Sequence, residues 1–140
     1  MIAYNAERLS EVTTLFEGKH KPGSSRMCAM EAVAYIAGEP WSDHPACACP
    51  VIAAFVRSLN DGLSGRKRTR LLLPLLPEIV DSLSTPQVEG RRTWMVTDWT
   101  IRKSTPAWFK LGSMRSLDRH ATALATLPEI VDLKRFGTAM

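Results

Sequence analysis

The chain has little of what usually betrays a function. It holds three cysteines and three histidines among 140 residues. An odd number of thiols closes no disulfide framework, so reduced cysteines are expected. Long apolar runs are missing. The strongest, Leu71–Leu76 and Pro50–Val56, are far too short to span a bilayer, so no membrane association is expected. The first residues, Met1-Ile2-Ala3-Tyr4-Asn5-Ala6-Glu7-Arg8, show no basic stretch followed by an apolar one. No signal peptide is therefore read, and a cytoplasmic setting is expected. There is no G-x-G-x-x-G, Walker A or G-x-S-x-G, which removes the common phosphate-cradling and serine-hydrolase signatures. No alternating β-branched run suggests a sheet. Charge of one sign is also scarce: the net +4 permits an acidic partner without requiring one.

What is present is an ordinary soluble composition, 45% apolar and 23% charged, at a length that suits one domain over residues 1–140. Nine prolines punctuate it: Pro22, Pro40, Pro45, Pro50, Pro74, Pro77, Pro86, Pro106 and Pro128. Several stand just before an apolar stretch of helical length. Proline suits a first helical turn, where its missing N–H would be unpaired anyway. The reading is an all-α domain of six to eight short helices with proline-marked starts.

Leu9, Val12, Leu15 and Phe16 form one stripe, so Asn5 to Phe16 reads as a helix, although Val12–Phe16 leans towards a strand. Ser24 or Ser25 can cap a helix over Met27–Ala37, with Gly38 as its C-cap. Pro50 starts a helix ending near Gly62. Pro77 opens a short helix over Glu78–Leu83, and Ser84–Gly90 is a linker. Arg91–Lys103 is helical, and Pro106 opens a piece stopped at Gly112. Ser116 caps Leu117–Leu127, and Pro128 opens a last helix ending at Gly137. Leu9, Val33, Ile36, Ile52, Phe55, Leu72, Ile79, Trp99, Leu124 and Ile130 are expected to be mainly buried.

The chemistry gathers between Cys28 and Cys49, which encloses every cysteine and His44. Three readings compete there. Cys28, His44, Cys47 and Cys49 offer a Cys3His zinc set, although Cys47-x-Cys49 is tighter than the usual two-residue spacing. Cys28 near a helix start, with His20 or His44 as base, offers a nucleophile, opposed by the Glu31 carboxylate one turn on. The favoured reading is structural. Glu31 is the one charged residue between Met27 and Ala37, in a helix with no clear polar face. Buried there, it needs a partner such as His44, His20 or Arg26. The expectation is a polar network of Glu31, Ser42, Asp43 and His44, with Trp41 plugging the loop into the core. Asp43 is judged a poor orienter for His44, because adjacent side chains in an extended loop diverge.

Arg66, Lys67, Arg68 and Arg70 form a basic run that could contact nucleic-acid phosphates, although most such runs are solvated surface. Trp94, Trp99 and Trp108 read as core or interface anchors. Leu76-Pro77-Glu78-Ile79-Val80-Asp81 echoes Leu127-Pro128-Glu129-Ile130-Val131-Asp132, either as a duplicated unit or as a shared helix-start motif.

The run Met27-Cys28-Ala29-Met30-Glu31-Ala32-Val33-Ala34-Tyr35-Ile36-Ala37-Gly38-Glu39-Pro40-Trp41-Ser42-Asp43-His44-Pro45, with Asp98-Trp99-x-Ile101-Arg102 and Thr105-Pro106-Ala107-Trp108, resembles a family of proteins from actinobacteria and their phages. The likeness covers most of residues 18 to 131. It implies a bacterial or phage cytoplasmic origin and carries no activity, cofactor or catalytic residue. The functional expectation is a non-enzymatic module that docks on a protein partner, because tryptophan is enriched at interface hot spots. The rivals are a cysteine-dependent hydrolase or transferase, a zinc protein and a nucleic-acid binder.

Overall fold

The computed structural model describes residues 4–111 and 115–132. It is all helical, with no strand among the described residues. The helices group into two units, Met1–Thr85 and Pro86–Met140.

The first unit contains α1 (Ala6–Glu11), α2 (Ala29–Ala37), α3 (Pro50–Gly62), α4 (Gly65–Leu72), a 3-10 turn (Leu73–Leu75) and α5 (Leu76–Ile79). Helix α2 is its centre and packs against α1, α3 and α5. Its alanines let neighbours approach closely, and Met30, Val33 and Ile36 are fully buried. Each such side chain contributes roughly 1.5–3 kcal/mol of burial. Gly38 ends α2 with left-handed backbone, φ 75°, as its position predicts. Pro50 starts α3 at the expected place.

Three expectations for this unit are corrected. Helix α1 stops at Glu11, and Val12–Phe16 runs extended without joining a sheet. Its backbone is satisfied elsewhere: Leu15 N–H donates to Thr69 Oγ1 at 3.0 Å, and Phe16 N–H to the Met27 carbonyl at 2.9 Å. Cys28, not Ser24 or Ser25, caps α2; the Ser24 hydroxyl accepts from Arg26 N–H instead. Finally, α5 covers Leu76–Ile79 rather than residues 78–83, because the chain turns at Val80 and Asp81, the latter at φ 61°.

The second unit contains α6 (Pro86–Trp99), a π-helical turn (Thr100–Ser104), α7 (Thr105–Leu111), a 3-10 turn (Arg115–Leu117) and α8 (Asp118–Ala125). Residues 84–90 are therefore not all linker: Pro86 opens α6. The π turn has a local cause. A proline within a helix clashes with the carbonyl four residues back and lacks a donor. The wider turn before Pro106 accommodates both problems, with Thr105 N–H reaching back to the Thr100 carbonyl. Gly112 lies outside the described residues.

Ser116 sits in the 3-10 turn and does not cap α8. Pro128 opens no helix: residues 127–132 are irregular, and 133–137 lie outside the described residues. The two LPEIVD copies thus differ in backbone, helical in one and irregular in the other. They share a buried isoleucine, Ile79 and Ile130.

Of the expected core, Val33, Ile36, Leu72, Ile79 and Ile130 are buried, while Leu9, Ile52, Phe55 and Leu124 are partly so. Trp99 is 44% exposed. Its helix spreads apolar residues around the whole circumference, and α6 has no buried residue.

Candidate functional site

Glu31 is fully buried, as its setting in α2 requires. Its partner is His20, not His44 or Arg26. Glu31 Oε1 accepts from His20 N–H at 2.6 Å, and Oε2 lies 2.9 Å from His20 Nδ1. Oε2 also accepts from Cys28 N–H at 2.8 Å, while Glu31 N–H donates to Cys28 Sγ at 3.4 Å. This is a capping box with cysteine in the serine position. Three donors and a helix N-terminus satisfy the buried carboxylate. Arg26 lies over the Phe16 ring instead, 4.7 Å from its centroid.

The Trp41–Pro45 loop does fold back, but onto residues 19 and 20. Trp41 Nε1 donates to the His20 carbonyl at 3.0 Å, and Lys19 pairs with Asp43 at 3.2 Å. Ser42, Asp43 and His44 form a separate group. Ser42 Oγ accepts from His44 N–H, and His44 Nδ1 sits 3.0 Å from Asp43 Oδ1. Asp43 therefore does orient the neighbouring ring, because the loop bends at this point. Burial pushes the Asp43 carboxyl up, but hydrogen bonds from His44 and Lys19 outweigh it and hold it below its ordinary value. His44 is exposed.

Two buried polar residues escaped the sequence reading. Asn60 Oδ1 accepts from Ala29 N–H at 3.1 Å, and its Nδ2 donates to the Phe16 carbonyl at 2.9 Å. Arg68 is 4% exposed. It donates to the carbonyls of Asn60, Leu63 (2.8 Å) and Leu15 (3.5 Å) and pairs with Glu17 at 3.3 Å. Helical spacing was the available signal. Ala53, Val56 and Asn60 share the buried face of α3, and Arg68 and Leu72 that of α4. Arg68 is thus withdrawn from any phosphate-contacting surface; Arg66, Lys67 and Arg70 remain exposed.

The cysteines are all buried and free. Burial, reinforced by the Glu31 charge, pushes the Cys28 thiol up to about 11. Burial raises Cys47 as well. The loop around them is tied by Cys49 N–H to Ser82 Oγ and by Leu83 N–H to the Cys47 carbonyl, both at 2.9 Å. Cys28, His44, Cys47 and Cys49 do not converge: among the described residues no three His, Cys, Asp or Glu side chains are grouped to hold a metal. Cys28 and His20 share Glu31 as a neighbour, but a buried protonated thiol makes a poor nucleophile.

In the second unit, Arg102 grips Asp98 with two nitrogens, at 2.6 and 3.0 Å. Asp98 also accepts from Ile130 N–H at 2.8 Å, and Arg102 donates to the Leu127 carbonyl at 3.2 Å. The pair pins the irregular 127–132 segment. Beside it lies an open groove of about 470 Å³ lined by Arg91, Trp94, Met95, Asp98, Glu129, Ile130 and Val131. Large apolar side chains are exposed in the same unit: Met95 is 70% exposed, Trp108 66% and Leu111 82%.

Comparison with protein-family models, curated proteins and solved structures returns no match. No helix among the described residues is long and apolar enough to cross a membrane.

Proposed function

We propose that the chain is a small accessory protein of a bacterial or phage cytoplasm, working as a non-enzymatic interaction module. Its second unit docks on a protein partner. The supporting observation is the exposure of Met95, Trp99, Trp108 and Leu111 in a unit with few buried side chains. Exposed tryptophan and methionine give large contact areas, and both types are enriched at protein interfaces. The groove between α6 and the 127–132 segment adds a concave seat with charged groups at its edge.

The reading is tested by comparing partners captured from the native host by the wild type, Met95→Ser and Trp108→Ser. A specific partner retained by the wild type and lost by both variants, with melting temperatures unchanged, is the expected result. Identical partners for all three proteins remove the α6–α7 face from the account. A Cys28 thiol that alkylates rapidly at neutral pH shifts the reading to a cysteine enzyme.

A further inference from the structure

The α4 surface belongs to the first unit, whereas the groove just described belongs to the second. This unit has nine Lys and Arg residues against nine Asp and Glu, so it has no general excess of positive charge. Three of the cations nevertheless crowd one turn. Arg66, Lys67 and Arg70 are exposed, and no hydrogen bond or ion pair engages their side chains among the described residues. Two carboxylates of the same unit are engaged elsewhere: Glu17 by Arg68, and Asp61 by Gly18 N–H and Asn60.

The arrangement is electrostatically unfavourable for the isolated chain. Like charges at i, i+3 and i, i+4 repel. Arg66 and Lys67 also occupy the first turn of α4, where the macrodipole disfavours cations. That turn has no acidic residue, and Ser64 makes no side-chain cap. Unsatisfied N–H groups and three unpaired cations thus face solvent together, and the complement of such a surface is a cluster of carboxylates or phosphates.

The apolar neighbours narrow the choice. Lys67 and Leu71 are one turn apart on α4, Arg66 and Arg70 stand in the adjoining row, and Leu75 lies in the 3-10 turn that follows. Leu71 and Leu75 are about half exposed. Three cations alone give a duplex only weak phosphate binding. Two half-exposed leucines also give a bilayer little to hold, since stable membrane anchoring needs much larger apolar burial. A strip cationic at one end and apolar at the other matches an amphipathic helix laid along it.

We propose that Arg66, Lys67, Arg70, Leu71 and Leu75 dock an amphipathic helix of a partner protein. One acidic turn of that helix sits over the three cations and the α4 N-terminus. Its following turn places apolar side chains on Leu71 and Leu75. This strip belongs to the first unit and the α6–α7 face to the second.

The test uses the full chain and a fluorescent synthetic helix of about eighteen residues, glutamates in its first turns and leucines at i, i+3, i+4 and i+7 afterwards. Saturable binding is expected, weakening as salt rises from about 50 to about 500 mM. Lys67→Glu combined with Arg70→Glu weakens it at least about tenfold, and Leu71→Ser about threefold. All the altered side chains are exposed, so melting temperatures hold; Lys67→Gln with Arg70→Gln serves if the double reversal misfolds. Absent binding, or binding indifferent to these variants, overturns the proposal. Tighter binding of duplex DNA or phosphatidylglycerol vesicles through the same cations also overturns it, assigning the strip to phosphate instead.

Discussion

Glu31 is a charged side chain in the most apolar helix of the protein, and its bonds explain how the helix tolerates it. The carboxylate accepts from two backbone N–H groups and sits beside one imidazole nitrogen, so it closes α2 and anchors the 18–20 loop together. Removing it leaves buried donors without an acceptor. Glu31→Ala is expected to lower stability by roughly 3 kcal/mol in urea unfolding, and Glu31→Gln by less. An unchanged unfolding midpoint in Glu31→Ala contradicts this account of the carboxylate. The thiols permit a second prediction at the same scale. Burial holds all three cysteines away from solvent and lifts Cys28 to about 11. A disulfide reagent at neutral pH should label none of them quickly in the folded protein and all of them in denaturant. Rapid labelling of Cys28 contradicts the packing described.

Helix α4 divides its arginines by face. Arg68 points inward and ties α3, the 63–65 turn and the extended 15–17 segment through their carbonyls. Arg66 and Arg70 point outward. Arg68→Ala is therefore expected to cost roughly 2–4 kcal/mol, while Arg66→Ala and Arg70→Ala stay within about 0.5 kcal/mol. Three thermal melts decide it, and equal shifts for all three substitutions refute the division. The contrast also shows what the sequence makes legible. The proline start at Pro50, the glycine stop at Gly38 and the buried Glu31 follow from local rules, because they depend on one helix and its ends, whereas Pro86 opens α6 inside a stretch that the sequence reads as a linker. Arg68 and Asn60 were hidden by reading the chain linearly rather than around the helix. The choice of His20 over His44 was not legible, because it rests on where a twelve-residue loop returns in space. Pro128 misled for a related reason: its segment is held by Asp98 and Arg102, a long-range tie that overrides local preference.

Few side chains are buried in the second unit: Pro106, Ala121 and Ile130 among the described residues. A unit with so little core depends more on its polar ties than the first unit does, where the cluster runs from Val12 to Val80. The main tie is Asp98. The Arg102 hydrogen bonds hold its carboxyl below the ordinary value of 3.8, with Ile130 N–H adding to the effect against partial burial. A carboxyl depressed in the folded state stabilises fully above its unfolded pKa, and the contribution is lost as pH falls through the folded value. Asp61 behaves likewise in the first unit, held down by Gly18 N–H. Acid should therefore weaken both units below about pH 3.8, but with different consequences. In the second, protonating Asp98 ends its ion pair with Arg102 and weakens its hold on Ile130 N–H, which frees the 127–132 segment. In the first, the apolar packing of α2 survives. Amide hydrogen exchange, corrected for intrinsic rates, reads both at once. Ile130 should be protected at pH 7, lose protection as pH falls below this range, and be unprotected at every pH in Asp98→Ala. The Ala32 and Val33 amides should keep theirs in both proteins. Protection at Ile130 that survives Asp98→Ala would show that apolar burial, not the aspartate, holds the segment in place.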